Sequence, residues 1–196
     1  MTIHRQFMLV PLISSHPNPE ACAQKILRWL VGLNVVAVRP VASGLRPGHC
    51  VYPMKEGALR ILDVPDDFPL PIDTPATGLE FITERGLYTP EPPFARRARC
   101  PECRHELGTP LFESLERWIA NETDNFECPR CGFEDDVNGF TFAQPCAFSN
   151  LGLVFHNWPS QYFLKGFLRE FPARFGFPMR IVEIEHVERN NAPCRG

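Results

Sequence analysis

Two rhythms of apolar residues alternate along the chain. The first is the near-continuous run, long enough for one buried strand. "FMLVPLISS", residues 7–15, is the earliest example. The second is spacing by three and four. After the turn "HPNPE", Cys22, Ile26, Trp29 and Leu30 recur on one face of a helix predicted from Pro19 to about Val31. Asn18 is a suitable N-cap. Pro19 suits the first helical position, where a missing N–H leaves no helical bond unmade. Gly32 is the expected stop, and "NVVAVRPV", residues 34–41, reads as a second buried strand. Residues 5–41 thus predict a β-α-β unit.

The same alternation returns in the last third. "FSNLGLVFHN" predicts a strand over 148–157. "WPSQYFLKGFLREFPARFG" predicts a helix over 158–176, with Phe163, Leu164, Phe167, Leu168, Phe171 and Phe175 on one stripe. Pro172 is expected to kink or end its last turn, and Gly176 to close it. "MRIVEIEHV", residues 179–187, is the returning strand. Between the two units, Cys50–Met54 and Ala58–Val64 read as the arms of a hairpin about Lys55-Glu56-Gly57. "PDDFPLPIDTP" reads as a connector, and a short strand is expected around Leu79–Ile82. The predicted class is α+β: two β-α-β units forming a ferredoxin-like or small mixed sheet, with an insert between them. The expected divisions are 1–64 for the first unit and hairpin, 65–98 for the Pro-rich connector, 99–140 for the insert, 141–188 for the second unit and 189–196 for a tail.

Composition changes this picture little. The chain has 196 residues, 44% hydrophobic and 22% charged, as expected of one globular domain or a domain with an inserted module. The 21 prolines cluster between the periodic segments and punctuate loops. Net charge is −3, which argues against a general affinity for phosphate backbones. No apolar run reaches the length of a membrane span. Phe7–Ile13 is short for a secretory core, contains Pro11 and has no cleavage signature after it. A cytoplasmic location is therefore expected, where eight cysteines favour metal ligation over disulfides.

Four of those cysteines fall into two Cys-Pro-x-Cys pairs, "CPEC" at 100–103 and "CPRC" at 128–131. A Cys-x-x-Cys turn presents two thiolates from one tight loop, and two such turns complete a tetrahedron. Cys100, Cys103, Cys128 and Cys131 are thus the expected metal ligands. Gly132 permits the tight turn after the last of them. Arg99, Arg104 and Arg130 are placed to offset thiolate charge. The paired motif over Arg99–Phe133 resembles a zinc ribbon. Its long loop departs from the simplest ribbons, because Phe112, Leu115, Trp118 and Ile119 predict an amphipathic helix within it. The resemblance implies structural zinc with no open coordination position. Iron is the alternative, since four thiolates also suit a rubredoxin-type site. The layout is similar to small bacterial α/β proteins that carry a ribbon within their body.

Two further groups are candidates. His16 and His156 each follow the first strand of a β-α-β unit, so a binding pocket is expected at a shared sheet edge, with Ser14, Asn157 and Trp158 nearby. Arg96, Arg97, Arg99 and Arg104 form a basic stretch beside the first cysteine pair. Cys22 is expected in the core, and His105 in solvent. No phosphate loop, nucleophile elbow or His-Glu-x-x-His is present. The expected function is a non-enzymatic zinc-ribbon protein that binds a protein partner as an adaptor or inhibitor. Nucleic-acid binding through the arginines and an enzyme at the His16/His156 edge are the alternatives.

Overall fold

A computed structural model describes residues 2–43, 48–90 and 93–188. In chain order, the first half holds β1 (Thr2–Pro11), α1 (Pro19–Gly32), β2 (Val41–Ala42), β3 (Cys50–Pro53), β4 (Gly78–Ile82), β5 (Gly86–Tyr88) and β6 (Ala98–Arg99). The second half holds α2 (Gly108–Ile119), β7 (Asn125–Glu127), β8 (Glu134–Asp136), β9 (Thr141–Phe142), β10 (Ala147–Ser149), β11 (Gly152–His156), α3 (Lys165–Phe175) and β12 (Met179–Glu188).

The architecture is mixed α/β. One six-stranded sheet runs β12-β1-β11-β4-β3-β2, and every pair of neighbours is antiparallel. β1 pairs with β12 from Thr2↔Glu188 to Pro11↔Met179, and with β11 from Gln6↔His156 to Leu9↔Leu153. Side chains alternate across the sheet. Phe7, Leu9, Leu79, Leu153 and Phe155 face one way and pack on Ile26 and Leu30 of α1 and on Phe167 and Phe171 of α3. Met8, Val10, Val154 and Val182 face the other way, against Tyr88 and Ala147. Both long helices therefore cover the same face.

Two parallel relationships follow from the order. β1 and β4 run parallel with β11 between them, and β11 and β12 run parallel with β1 between them. Each pair is joined through one helix, α1 or α3. The second unit is as expected. The first returns to the sheet through Gly78–Ile82, not through residues 34–41. Val35 and Val36 are fully buried, yet only Val36 makes a strand bridge, to Met54. Asn34 takes φ 57, which turns the chain as soon as α1 ends. An apolar run marks burial, and here the buried shape is a turn.

The expected hairpin arm Ala58–Val64 is also corrected. Glu56–Arg60 forms a 3-10 turn, and β3 pairs instead with β4 and β2. Gly57 explains the compact turn. Its N–H donates to the Asn34 carbonyl, and a Cβ there would lie 2.2 Å from the Leu33 carbonyl oxygen. Residues 65–98 hold β4, β5 and the first residue of β6, more than a connector. Residues 148–157 form two strands, broken where Asn150 donates to the Ser14 carbonyl. Residues 158–164 stay outside α3, although Ser160–Tyr162 makes a 3-10 turn. Pro172 sits inside α3 without ending it, and Gly176 closes the helix at φ 82. The expected tail, 189–196, lies outside the described residues.

A second core lies beside the sheet. α2 contributes Leu111, Phe112, Leu115 and Trp118, which pack with Ala98, Leu107, Phe126, Val137, Phe140 and Phe148. Of the predicted helix face only Ile119 is exposed, at 53%. The two-stranded ladders β6-β9, β7-β8 and β5-β10 frame this core. No described helix is long and apolar enough to cross a membrane.

Candidate metal centre

Cys100, Cys103, Cys128 and Cys131 converge. Their Sγ atoms all lie within 4.8 Å of one another, with Cys100 and Cys131 at 3.7 Å and Cys103 and Cys128 at 3.7 Å. Four thiolates at a metal–sulfur bond of about 2.3 Å in a tetrahedron stand about 3.8 Å apart. The four sulfurs are therefore spaced as a ligand set, and the cluster can hold a metal ion. No cysteine among the described residues is in a disulfide.

The two turns are built alike. In the first, the Arg104 N–H donates to the Cys100 carbonyl at 3.0 Å, and the Cys100 N–H to the His105 carbonyl at 3.0 Å. In the second, Gly132 donates to Cys128 at 2.9 Å and Cys128 to Phe133 at 2.7 Å. Each turn needs a left-handed residue after its second cysteine; Gly132 supplies φ 74 and Arg104 φ 58. The second turn closes the β7-β8 hairpin, and the first is closed by a bridge from Arg99 to Glu106.

The thiols respond to their crowding. Desolvation works against the Cys128 thiolate, but the Arg130 and Cys131 backbone N–H groups and the Cys131 and Cys103 thiols bring it down to about 7. For Cys131 the Phe133 N–H favours the thiolate, but desolvation and the sulfurs of Cys103, Cys128 and Cys100 push it up to about 12. Four neighbouring sulfurs cannot all ionise together without a cation between them. The thiols outside the cluster behave as core groups. Burial raises Cys22, and it raises Cys146 to about 11 against the pull of Arg180.

The cysteine-bearing part is tied to the sheet at one seam, which the sequence did not signal. Arg85 donates to the Trp118 carbonyl at 2.6 Å, to the Thr123 carbonyl at 2.8 Å and to Asp124 at 2.5 Å, and its guanidinium lies over the Trp118 ring. Asp124 also accepts from the Ser15 hydroxyl, which in turn accepts from the Trp118 indole. Ser14, expected near the histidines, instead donates its N–H to Asp136 at 2.8 Å.

His16 and His156 are not brought together. β1 and β11 are antiparallel, so the position following β1 and the end of β11 lie at opposite ends of the sheet. His16 packs its ring on Phe177 and accepts from the Asn18 N–H. Asn157 clamps the strand end, exchanging bonds with the Arg5 backbone and the Ala76 carbonyl. Trp158 is buried against Phe155 and Phe163. His156 is buried too, and its Nε2 meets Glu80 Oε2 at 2.7 Å, while His49 Nδ1 meets Glu80 Oε1 at 2.7 Å. Burial opposes the Glu80 charge, yet the two imidazole bonds hold its carboxyl below the ordinary range. Arg96 and Arg97 are exposed and paired with Glu116 and Glu106 at 3.3 and 3.4 Å. Arg99 and Arg104 are exposed beside the first turn. No protein-family model, no curated protein and no solved structure matches the chain.

Proposed function

We propose that the protein is a zinc-stabilised binding module that recognises a protein partner as an adaptor or inhibitor. In this reading the body is a ferredoxin-like sheet extended by β3 and β2. The strand order β12-β1-β11-β4 with both helices on one face supports it. Residues around the four cysteines are a zinc ribbon with α2 in its long loop. The observation that carries the proposal is the closed ligand set: four sulfurs at tetrahedral spacing leave no open position for substrate, as in structural zinc sites. The metal then shapes the surface and leaves chemistry aside. A reducing cytoplasm is the compartment that keeps such thiols available.

The surface beside the ribbon favours a protein over a phosphate backbone. Arg96 and Arg97 are engaged by carboxylates, and Ile119 stands exposed on the same helix as Glu116. Mixed charge around an apolar residue is typical of protein interfaces. Iron is the competing occupant, and elemental analysis separates the two. The decisive measurement pairs that analysis with binding assays. One stoichiometric zinc and a defined protein complex weakened by Ile119→Asp support the proposal. Tight, strongly salt-dependent binding to mixed DNA or RNA replaces it with nucleic-acid recognition.

A further inference from the structure

The sheet face opposite the helices is only partly covered. Beside Tyr88 it opens a cleft of about 460 Å³, within the range of small-molecule sites. Strand alternation builds its floor. Met8, Val154 and Glu80 stand side by side on β1, β11 and β4, and Gln6 pairs with Ile184. The floor is thus apolar on one side and ends in a single carboxylate on the other.

That carboxylate is positioned from two directions. An ionised carboxylate only accepts, so His49 Nδ1 and His156 Nε2 each donate a hydrogen to it. A neutral imidazole can make that donation, which leaves one negative charge at the cleft wall. Glu84 adds another, and no Lys or Arg lines the space. The three groups are not arranged as a metal site, because the two imidazole nitrogens engage opposite oxygens of the carboxylate.

Tyr88 supplies the second polar feature. It is 5% exposed, lines the cleft, and its hydroxyl has no hydrogen-bond partner. Burial and the Glu80 charge keep the phenol protonated well above its ordinary range, so it is a neutral donor lacking an acceptor. Its ring is seated over two glycines. At Gly152 a Cβ would lie 2.5 Å from the hydroxyl, and at Gly86 a Cβ would meet the ring at 3.6 Å. A buried donor without a partner is costly unless something else accepts from it.

We propose that this cleft binds a small primary ammonium compound with a carbonyl oxygen beside the amine and an apolar body, the class of an α-amino amide. The ammonium sits against Glu80, the carbonyl oxygen accepts from Tyr88, and the apolar body covers Met8, Val154 and Ile184. Anions are repelled by Glu80 and Glu84, and a purely apolar ligand would leave both polar groups unmet. The site lies on the body, away from the cysteines, and stands independently of the protein-partner reading.

The test is titration of leucinamide into the metal-loaded full chain, followed by NMR shifts of β1, β4 and β11 amides. N-acetyl-leucinamide, which lacks the ammonium, is the comparison. Leucinamide is expected to saturate, with the acetylated compound at least about tenfold weaker, as loss of one charged hydrogen bond predicts. Tyr88→Phe is expected to weaken binding severalfold while leaving the thermal midpoint unchanged or higher, because the hydroxyl has no protein partner. Glu80→Gln is expected to weaken it at least about tenfold. Absence of saturation, equal affinity for the acetylated compound, or wild-type affinity in a folded Tyr88→Phe chain each overturns the proposal. Tyr88→Phe carries the test if Glu80→Gln does not fold.

Discussion

Arg104 and Gly132 hold equivalent places in the two cysteine turns. Each donates its N–H to the carbonyl of the first cysteine of its turn, and each has positive φ, 58 for Arg104 and 74 for Gly132. Glycine adopts that conformation freely, whereas a residue with a Cβ is strained in it by about 1–2 kcal/mol. Arg104→Gly is therefore expected to raise the stability of the metal-loaded protein by up to about 1 kcal/mol, the strain relief being offset by the greater freedom of glycine in the unfolded chain. Denaturant titration of both proteins at equal metal loading checks this. A clear loss of stability would mean that the Arg104 side chain is needed near the thiolates.

Metal removal is expected to act on one core before the other. The cysteine turns anchor β6, β7 and β8, and these strands frame the core built on Leu111, Leu115, Trp118 and Phe126. The sheet has its own core around Leu9, Ile26, Leu153 and Phe171. Chelation should therefore collapse the amide dispersion of residues 98–142 while β1, β11 and β12 keep theirs, because binding energy at such sites is folding energy. Cys128→Ser should mimic the chelator. An unchanged spectrum after verified metal loss would show that the sulfurs contribute no structural constraint.

The carboxyl of Glu80 links the sheet to pH. Its pKa in the folded chain lies below the ordinary value of 4.5, since bonds from His156 and His49 outweigh burial. The unfolded state thus binds the proton more tightly, and stability rises as pH climbs through this range. The contribution is fully present above the unfolded value and is lost as pH falls through the folded one. Glu80→Gln is expected to destabilise the protein at neutral pH by about 1–3 kcal/mol, the range for hydrogen bonds to charged groups. The gap should narrow below about pH 4, where the wild-type carboxyl takes up its proton. Urea midpoints measured across pH 3 to 7 on both proteins decide the matter, and parallel curves throughout would contradict it.

What could be read from the residues was local, and what escaped was brought about by distance. Asn18 and Pro19 announce α1, and the paired cysteines announce the cluster, because each signal lies within a few positions. The place of β4 escaped because prolines surround it and the strand it runs parallel to is β1, far earlier in the chain. Val35 and Val36 looked like that strand because burial and strand pairing leave the same apolar mark. The partnership of Glu80 with His49 and His156 spans separations of 31 and 76 residues, and no periodicity encodes it. His16 and His156 matched by position in their units, but the antiparallel register of β1 and β11 carries them to opposite ends.

Arg85 joins the two cores, and its removal is the sharpest test of that seam. The side chain is mostly buried, and its guanidinium spans the Trp118 and Thr123 carbonyls and the Asp124 carboxylate. These acceptors follow α2 or end it, so the bonds also satisfy carbonyls at the helix C-terminus. Lysine cannot replace this fork, because it offers a point charge where a planar group spans three acceptors. Arg85→Lys is expected to cost about 1–3 kcal/mol, and Arg85→Ala more, since several buried acceptors lose their donor. The cysteine cluster, which Arg85 does not touch, should keep its metal in both variants. Hydrogen exchange supplies the check: amides at the end of α2 and along 121–124 should lose protection while those of β1 and β12 hold. If Arg85→Lys exchanged like the wild type at every one of these amides, the seam would have to be held by Ser14, Ser15 and Asp136 instead.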